Sequence, residues 1–473
     1  MKKLVFIFIA LASTLTLMAQ PPAEVLQRKS LGHPNIDHTI VRTNRITYYE
    51  EGGAGFFAYL NTFFGNYYYV KMPPNWSVRD FRVLEDTVYF CGIDNGTRTA
   101  LLGHFGINNL VAGTGNITFK HDVTIGNYFH VLNRIAVGGK GKNISVMAIG
   151  RESIGFDPDS YGCDKVVYIE NYAAGSGCIF RGDGSNPEVY WDVVATENYF
   201  TVAGTPPFPL ASPSVYMRRA LIGASVTAFL TNFSDRYEYN NYPVDDISGI
   251  RAAALEGDDV AFASYYKYYS YVYGNQEEGM QLLTVAVPTG QVHPYQRYSL
   301  LSYSMPWITS APLDMVYIPY FRSLMVIDQI VNHIYPGNSI LMLDPYSTTP
   351  PYSPYFTPYF ENSHFSQSPV VSVSIDSAVC CIASYNQNPP YHGGWARLDL
   401  SIILPQYNTN GYYNLWCINA INADIFIHPD YPPDKSTLGD QKQYQMKLND
   451  TTQAVLYNRH SEVCTKKNTP EDE

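Results

Sequence analysis

The chain has 473 residues, a formal net charge of −11 and only 15% charged residues, against the ~25% usual for a soluble domain. The acidic balance argues against nucleic acid and against anionic membrane surfaces as partners. The length exceeds the ~250–300 residues at which a single core stops growing, so several domains or one repeat architecture is expected.

Met1, Lys2 and Lys3 form a short positive start. An apolar run from Leu4 to Ala12 follows, then an uncharged stretch ending at the small residue Ala19. That order is the pattern of a secretory signal, with cleavage expected after Ala19. The run is shorter than the ~20 residues a spanning helix needs, and no later segment is apolar enough to cross a membrane. The expected location is therefore the periplasm, the outer cell surface or the extracellular medium. Residues 20–38 read as an N-terminal extension, with His33 and His38 in a Pro/Asn segment.

From residue 39 to residue 464 one phrase recurs: an apolar strand, a polar turn, and a second strand without polar interruption. Its copies are 81–92, 131–150, 189–204, 250–264, 315–328, 370–383 and 444–457, and the spacing leaves room for two further strands in each interval. The second strands, such as Val88-Tyr-Phe-Cys91 and Ala378-Val-Cys-Cys-Ile382, are apolar throughout. A sandwich strand covered on one face should alternate instead. The pattern predicts an all-β chain: a β-propeller of four-stranded blades, seven with six or eight as the near alternatives, each covered on both faces by its neighbours. The early strands Gly55–Leu60 and Tyr67–Lys71 lack an opening pair in this reading. They are expected to complete the last copy in one blade shared by both termini, which would remove open edges.

On these copies the chain resembles β-propeller repeat proteins that bacteria export. The resemblance is architectural, since no blade signature recurs from copy to copy: a Trp-Asp dipeptide occurs once, at Trp191-Asp192. It implies a disc with loop-built faces and a central channel, used for binding or, in some cases, for hydrolysis or lyase chemistry at the channel mouth.

No Gly-x-Ser-x-Gly elbow, His-Glu-x-x-His, Cys-x-x-Cys or phosphate loop is present, and no cofactor is implied. Asp157, Asp159 and Asp164 partly mimic a calcium loop, but the twelfth position is Tyr168 rather than an acid. Cys163 and Cys178 flank a possible hairpin and are the pair expected to form a disulfide, if any does. The Pro-rich stretch 344–360 should be a stiff extended loop bearing Tyr346, Tyr352, Tyr355 and Tyr359. Exposed rings on a rigid loop suit sugars or protein partners, because little entropy is lost on binding. His392 and Trp395 sit in a glycine-containing turn that could line a sugar site. Residues 465–473 form a polar tail expected to be disordered.

These readings favour an exported binding or scaffold protein of the cell envelope, holding a glycan or another envelope protein, over an enzyme. The alternatives are a polysaccharide hydrolase or lyase and a surface adhesin.

Overall fold

The computed structural model describes residues 9–11, 17–28, 36–43, 46–61, 66–126, 128–152, 162–173, 176–180, 188–206, 214–233, 236–240, 246–270, 275–285, 296–298, 310–319, 323–330, 337–343, 345, 370–376, 379–384, 394–399, 423–425, 443–448 and 452–457. The chain forms two compact units. One comprises Met1–Val25 and Val70–Ser304, the other Leu26–Tyr69 and Met305–Glu473. The fold is mostly β, in antiparallel sheets. Among the described residues, no helix is long and apolar enough to cross a membrane.

Besides the short ladder of Asn116 and Ile117 on Glu24 and Ala23, the first unit holds four sheets in chain order. Sheet one runs Trp76–Leu84, Thr87–Asp94, Thr99–Gly106 and Lys120–Asp122, with Leu17–Ala19 added at its outer edge. Sheet two runs Val131–Lys140, Asn143–Arg151, Lys165–Asn171 and Ser176–Phe180, with Ile9–Leu11 added outside. Sheet three runs Val189–Ala195, Tyr199–Thr205, Ser214–Leu221 and Arg236–Asn240. Sheet four runs Asp246–Ala254, Val260–Ser270, Asn275–Val285 and Gln296–Tyr298.

These sheets stack face to face, and the alternation of side chains along each strand explains how. On sheet two, Val146, Ala148, Val167 and Ile169 pack with Tyr89, Cys91 and Leu102 of sheet one. Their sequence neighbours Met147, Ile149, Val166 and Tyr168 point the other way and pack with Val193, Phe200 and Val202 of sheet three. Sheet three in turn buries Val194, Ala203 and Met217 against Ile250, Val260 and Phe262 of sheet four. A strand covered on both faces has no polar face to show, which is why the second strands read as continuous apolar runs. The short helix Val226–Phe233 extends the second of these cores. Its Phe229 ring stacks on Tyr168 at 4.3 Å between centroids, and the Tyr168 hydroxyl donates to the Ala224 carbonyl at 2.6 Å.

Polar contacts tie neighbouring sheets at their turns. Glu85 accepts the Gly141 N–H at 3.0 Å, linking the first hairpin turns of sheets one and two. Asp258 accepts from the Asn198 N–H, the Asn198 side chain and Thr196, each at 2.8 Å, and so links sheets three and four. A buried ion pair holds sheet three internally. Arg218 donates to both Glu188 oxygens, at 2.5 and 2.9 Å, and to the Phe233 carbonyl at 2.7 Å.

The second unit contains the antiparallel strands Ile36–Val41, Ile46–Glu51 and Ala54–Asn61, and the three-stranded sheet Ser310–Ile318, Ser323–Ile330, Gly337–Leu343. It also contains Val370–Asp376, Val379–Ser384, Gly394–Asp399, Ala423–Ile425, and a separate pair, Gln443–Leu448 and Thr452–Tyr457.

This corrects the expectation of a blade shared by both termini. Ala54–Asn61 pairs with Ile46–Glu51, which pairs with Ile36–Val41, whereas the last hairpin forms a two-stranded sheet of its own. The sequence reading overlooked one copy of the phrase, 36–51, because His38 and a short turn obscured its first strand. Its second strand is as buried as the others: Ile46, Thr47, Tyr48 and Tyr49 are all enclosed. With that copy counted, the described residues fall into eight sheets.

Candidate functional site

The first strand of every sheet in the first unit is interrupted by a β-bulge. The register shifts between Val78 and Asp80, Leu132 and Arg134, Tyr190 and Asp192, and Ser248 and Arg251. The residue that follows the bulge is charged each time, and the sign alternates: Asp80, Arg134, Asp192, Arg251. In three of the four sheets the residue paired with the start of the bulge is a glycine: Gly92 opposite Val78, Gly150 opposite Leu132 and Gly204 opposite Tyr190. A Cβ at Gly92 would collide with the Ser77 carbonyl, one at Gly150 with the Val131 carbonyl, and one at Gly204 with the Tyr216 ring.

A bulge breaks the ladder and leaves a backbone N–H to be satisfied elsewhere. The aspartates do this for two sheets at a time. Asp80 accepts its own neighbour Phe81 N–H at 2.9 Å with one oxygen and Ile135 N–H of sheet two at 3.1 Å with the other. Asp192 accepts Val193 N–H at 2.8 Å and Ala252 N–H of sheet four at 2.9 Å. One carboxylate therefore serves two bulges, and only alternate sheets need one. The sheets between carry arginine at the same place. Asp80 and Asp192 are both buried, at 0% and 5% exposure, so each charge needs compensation.

Arg82 supplies it directly to Asp80, at 2.7 Å with a side chain still 28% exposed. Burial holds the Asp192 carboxyl above its ordinary range, against the opposing pull of Arg134, Arg251, the Ala252 N–H and Arg82. Arg134 and Arg251 each also donate to the carbonyl of the preceding residue, at 3.1 Å. In the second unit Asp314 follows the bulge after Pro312. It accepts Met315 N–H at 3.0 Å and the Arg42 guanidinium at 2.5 Å.

The chemistry this permits is specific. A carboxylate whose two oxygens both hold backbone amides is poorly placed to act as a general acid, base or nucleophile. The guanidiniums offer planar, always-charged donors suited to carboxylate or sulfate groups. Among the described residues, no group of three or more His, Cys, Asp or Glu side chains is arranged to hold a metal ion.

Of the candidates read from the sequence, Tyr346, Tyr352, Tyr355, Tyr359, His392, Asp157 and Asp159 lie outside the described residues. Asp164 is exposed, and its N–H donates to the Gly150 carbonyl at 3.1 Å. Trp395 is not in a turn. It belongs to the strand Gly394–Asp399, opposite Ala383. Cys163 and Cys178 are free, buried thiols, which corrects the expected disulfide. Cys163 bridges to Tyr190 before its strand begins, while Cys178 pairs with Tyr168 five residues further along. At ~3.3 Å per residue that offset is well beyond the ~7 Å between Cα atoms that a disulfide tolerates.

The sequence reading missed the alternating charges after the bulges. The signal was an Asp or Arg within each first strand, clear at Asp192 but obscured at Asp80 by Arg79 and Arg82 beside it and by its place just before the first copy of the phrase.

No family model matches the chain, and no curated protein matches it. Solved structures overlap it loosely. The tricorn protease aligns at 9% identity and a TM-score of 0.40, over 77% of this chain and 34% of that one, so this chain spans about a third of that protein. The β-propeller domain of the Trilobed protease from Pyrococcus furiosus aligns at 6% identity and a TM-score of 0.45, over 78% and 94%. A polysaccharide lyase, PL25 ulvan lyase, aligns at 9% identity and a TM-score of 0.37, over 78% and 83%. Overlaps this loose carry no chemistry from one chain to another.

Proposed function

We propose that this chain is an exported β-propeller that works as a binding scaffold of the cell envelope, with a glycan as its ligand. Four consecutive antiparallel sheets, each stacked on the next, support the propeller reading. The apolar run before Ala19 supports export. The observation that carries binding over catalysis is the occupation of Asp80 and Asp192. A glycosidase needs a free pair of carboxylates flanking the scissile bond, and these two hold four backbone amides between them. Arg82, on the Asp80 strand and still 28% exposed, is the guanidinium placed to meet a ligand, and it favours a glycan bearing carboxylate or sulfate.

An array of neutral and acidic glycans probed with the purified protein tests this. Binding to acidic glycans that weakens in R82K, which keeps the charge beside Asp80 but loses the planar fork, supports the reading. Release of reducing ends or unsaturated sugars from any polysaccharide, abolished by D80N or D192N, would replace it with the hydrolase or lyase reading.

A further inference from the structure

The outer edge of sheet two has an unusual composition for an edge strand. Exposed edges are ordinarily protected by lysine, proline or a bulge, because their unpaired amides and carbonyls template pairing with other chains. Ser176–Phe180 carries neither lysine nor proline, and the one register shift in its ladder lies on the neighbouring strand, between Ile169 and Asn171. Its residues Gly177, Cys178, Ile179 and Phe180 are all buried. The edge is covered by a segment from the far N-terminus, in antiparallel register: Ile9 opposite Ile179, Ala10 opposite Cys178, Leu11 opposite Gly177.

The same stretch of chain then continues along sheet one. Leu17, Met18 and Ala19 pair with Asp122, His121 and Lys120. Gln20 N–H donates to the Phe119 carbonyl at 2.8 Å, and Val25 N–H donates to the Gly115 carbonyl at 2.9 Å. The expected cleavage after Ala19 falls inside this run. It would leave residues 20–25 in place and uncover Ser176–Phe180.

We infer that the Ser176–Phe180 edge is a β-strand acceptor for an apolar extended peptide, held by Ile9–Leu11 in the uncut chain and open to a strand from another polypeptide once the leader is gone. Backbone pairing would supply the affinity, and the apolar character of the edge would select the occupant. The inference rests on the export reading only for the second of these two states.

Hydrogen exchange separates the possibilities. The protein is recovered from an exporting host and its N-terminus is fixed by intact mass. A synthetic peptide spanning residues 6–13 is then added. Exchange at the alternate amides of 177–180, those that point away from Lys165–Asn171, is expected to be fast in the chain beginning at Gln20 and to slow by at least about tenfold with peptide. The same peptide carrying proline at its Ala10 position should have no effect, because proline has no N–H to pair. No slowing, with the amides of 165–171 still protected, would overturn the inference. If those amides are also unprotected, or if the mass shows the leader retained, the full chain carrying Ala10→Pro is given the same peptide. Slowing at 177–180 there upholds the acceptor, and its absence rejects it. A retained leader refutes the export reading separately.

Discussion

Asp192 Oδ2 accepts the backbone N–H of Ala252 at 2.9 Å, joining two sheets across 60 residues of chain, while Oδ1 of the same carboxylate holds the N–H of Val193. The Asp80 carboxylate repeats the arrangement between sheets one and two. The stacking of sheets is apolar and non-directional. These clasps fix which residue of one first strand faces which residue of the next.

Replacing Asp192 with alanine removes both acceptors and leaves two buried donors without partners. Each such donor costs ~1–3 kcal/mol. D192A should therefore be strongly destabilised, and D192N, which keeps one acceptor, less so. Thermal unfolding followed by circular dichroism checks the order: wild type above D192N above D192A. Equal melting of all three would reject the clasp.

The Glu188–Arg218 pair makes a second prediction. Removing one partner of a buried, hydrogen-bonded ion pair costs ~3–5 kcal/mol, because the other charge stays behind. E188A should be far less stable than the double variant E188L/R218M, in which neither charge remains. Chemical denaturation of the single and double variants measures this.

His104 gives stability a pH dependence. Burial, with a smaller contribution from Lys120, lowers its pKa from the ordinary 6.5 to about 4. Between these values the unfolded chain binds a proton that the folded chain refuses, so stability falls as pH falls through that window and is regained as pH rises. The ring packs against Tyr89 and Tyr172, with centroids at 5.8 and 5.0 Å. H104F should keep the packing and flatten the melting temperature between pH 4.5 and pH 7; an unchanged slope would exclude His104 as its source.

The free cysteines predict a chemical result. Cys163 and Cys178 are buried, and burial pushes the Cys178 thiol up to about 12. Iodoacetamide should leave both unmodified in the native protein and alkylate both in denaturant without any reductant. Alkylation that requires a reductant would mean that the disulfide forms after all.

The all-β character and the two-face burial were legible in the sequence because an apolar run without alternation has few other uses. The recurring phrases even ended on Gly92, Gly150 and Gly204, the glycines that face the bulges, although nothing in a linear pattern says what a glycine faces. The copy at 36–51 escaped because His38 interrupts its first strand. The disulfide failed for a different reason: spacing along the chain does not reveal register, and register puts Tyr168, not Cys163, opposite Cys178. The clasps were hidden because a lone Asp in an apolar strand reads as a defect until the bulge beside it and the amide on the next sheet are both known.

The most direct test of the central claim, that the first-strand carboxylates Asp80 and Asp192 hold sheets together and do not perform chemistry, is to measure melting temperature and glycan binding on the same preparations of D80N and D192N. Both variants should melt well below wild type and still bind the same glycans at low temperature. A variant that melts like wild type but has lost binding, or a cleavage activity found in the wild type, would contradict it.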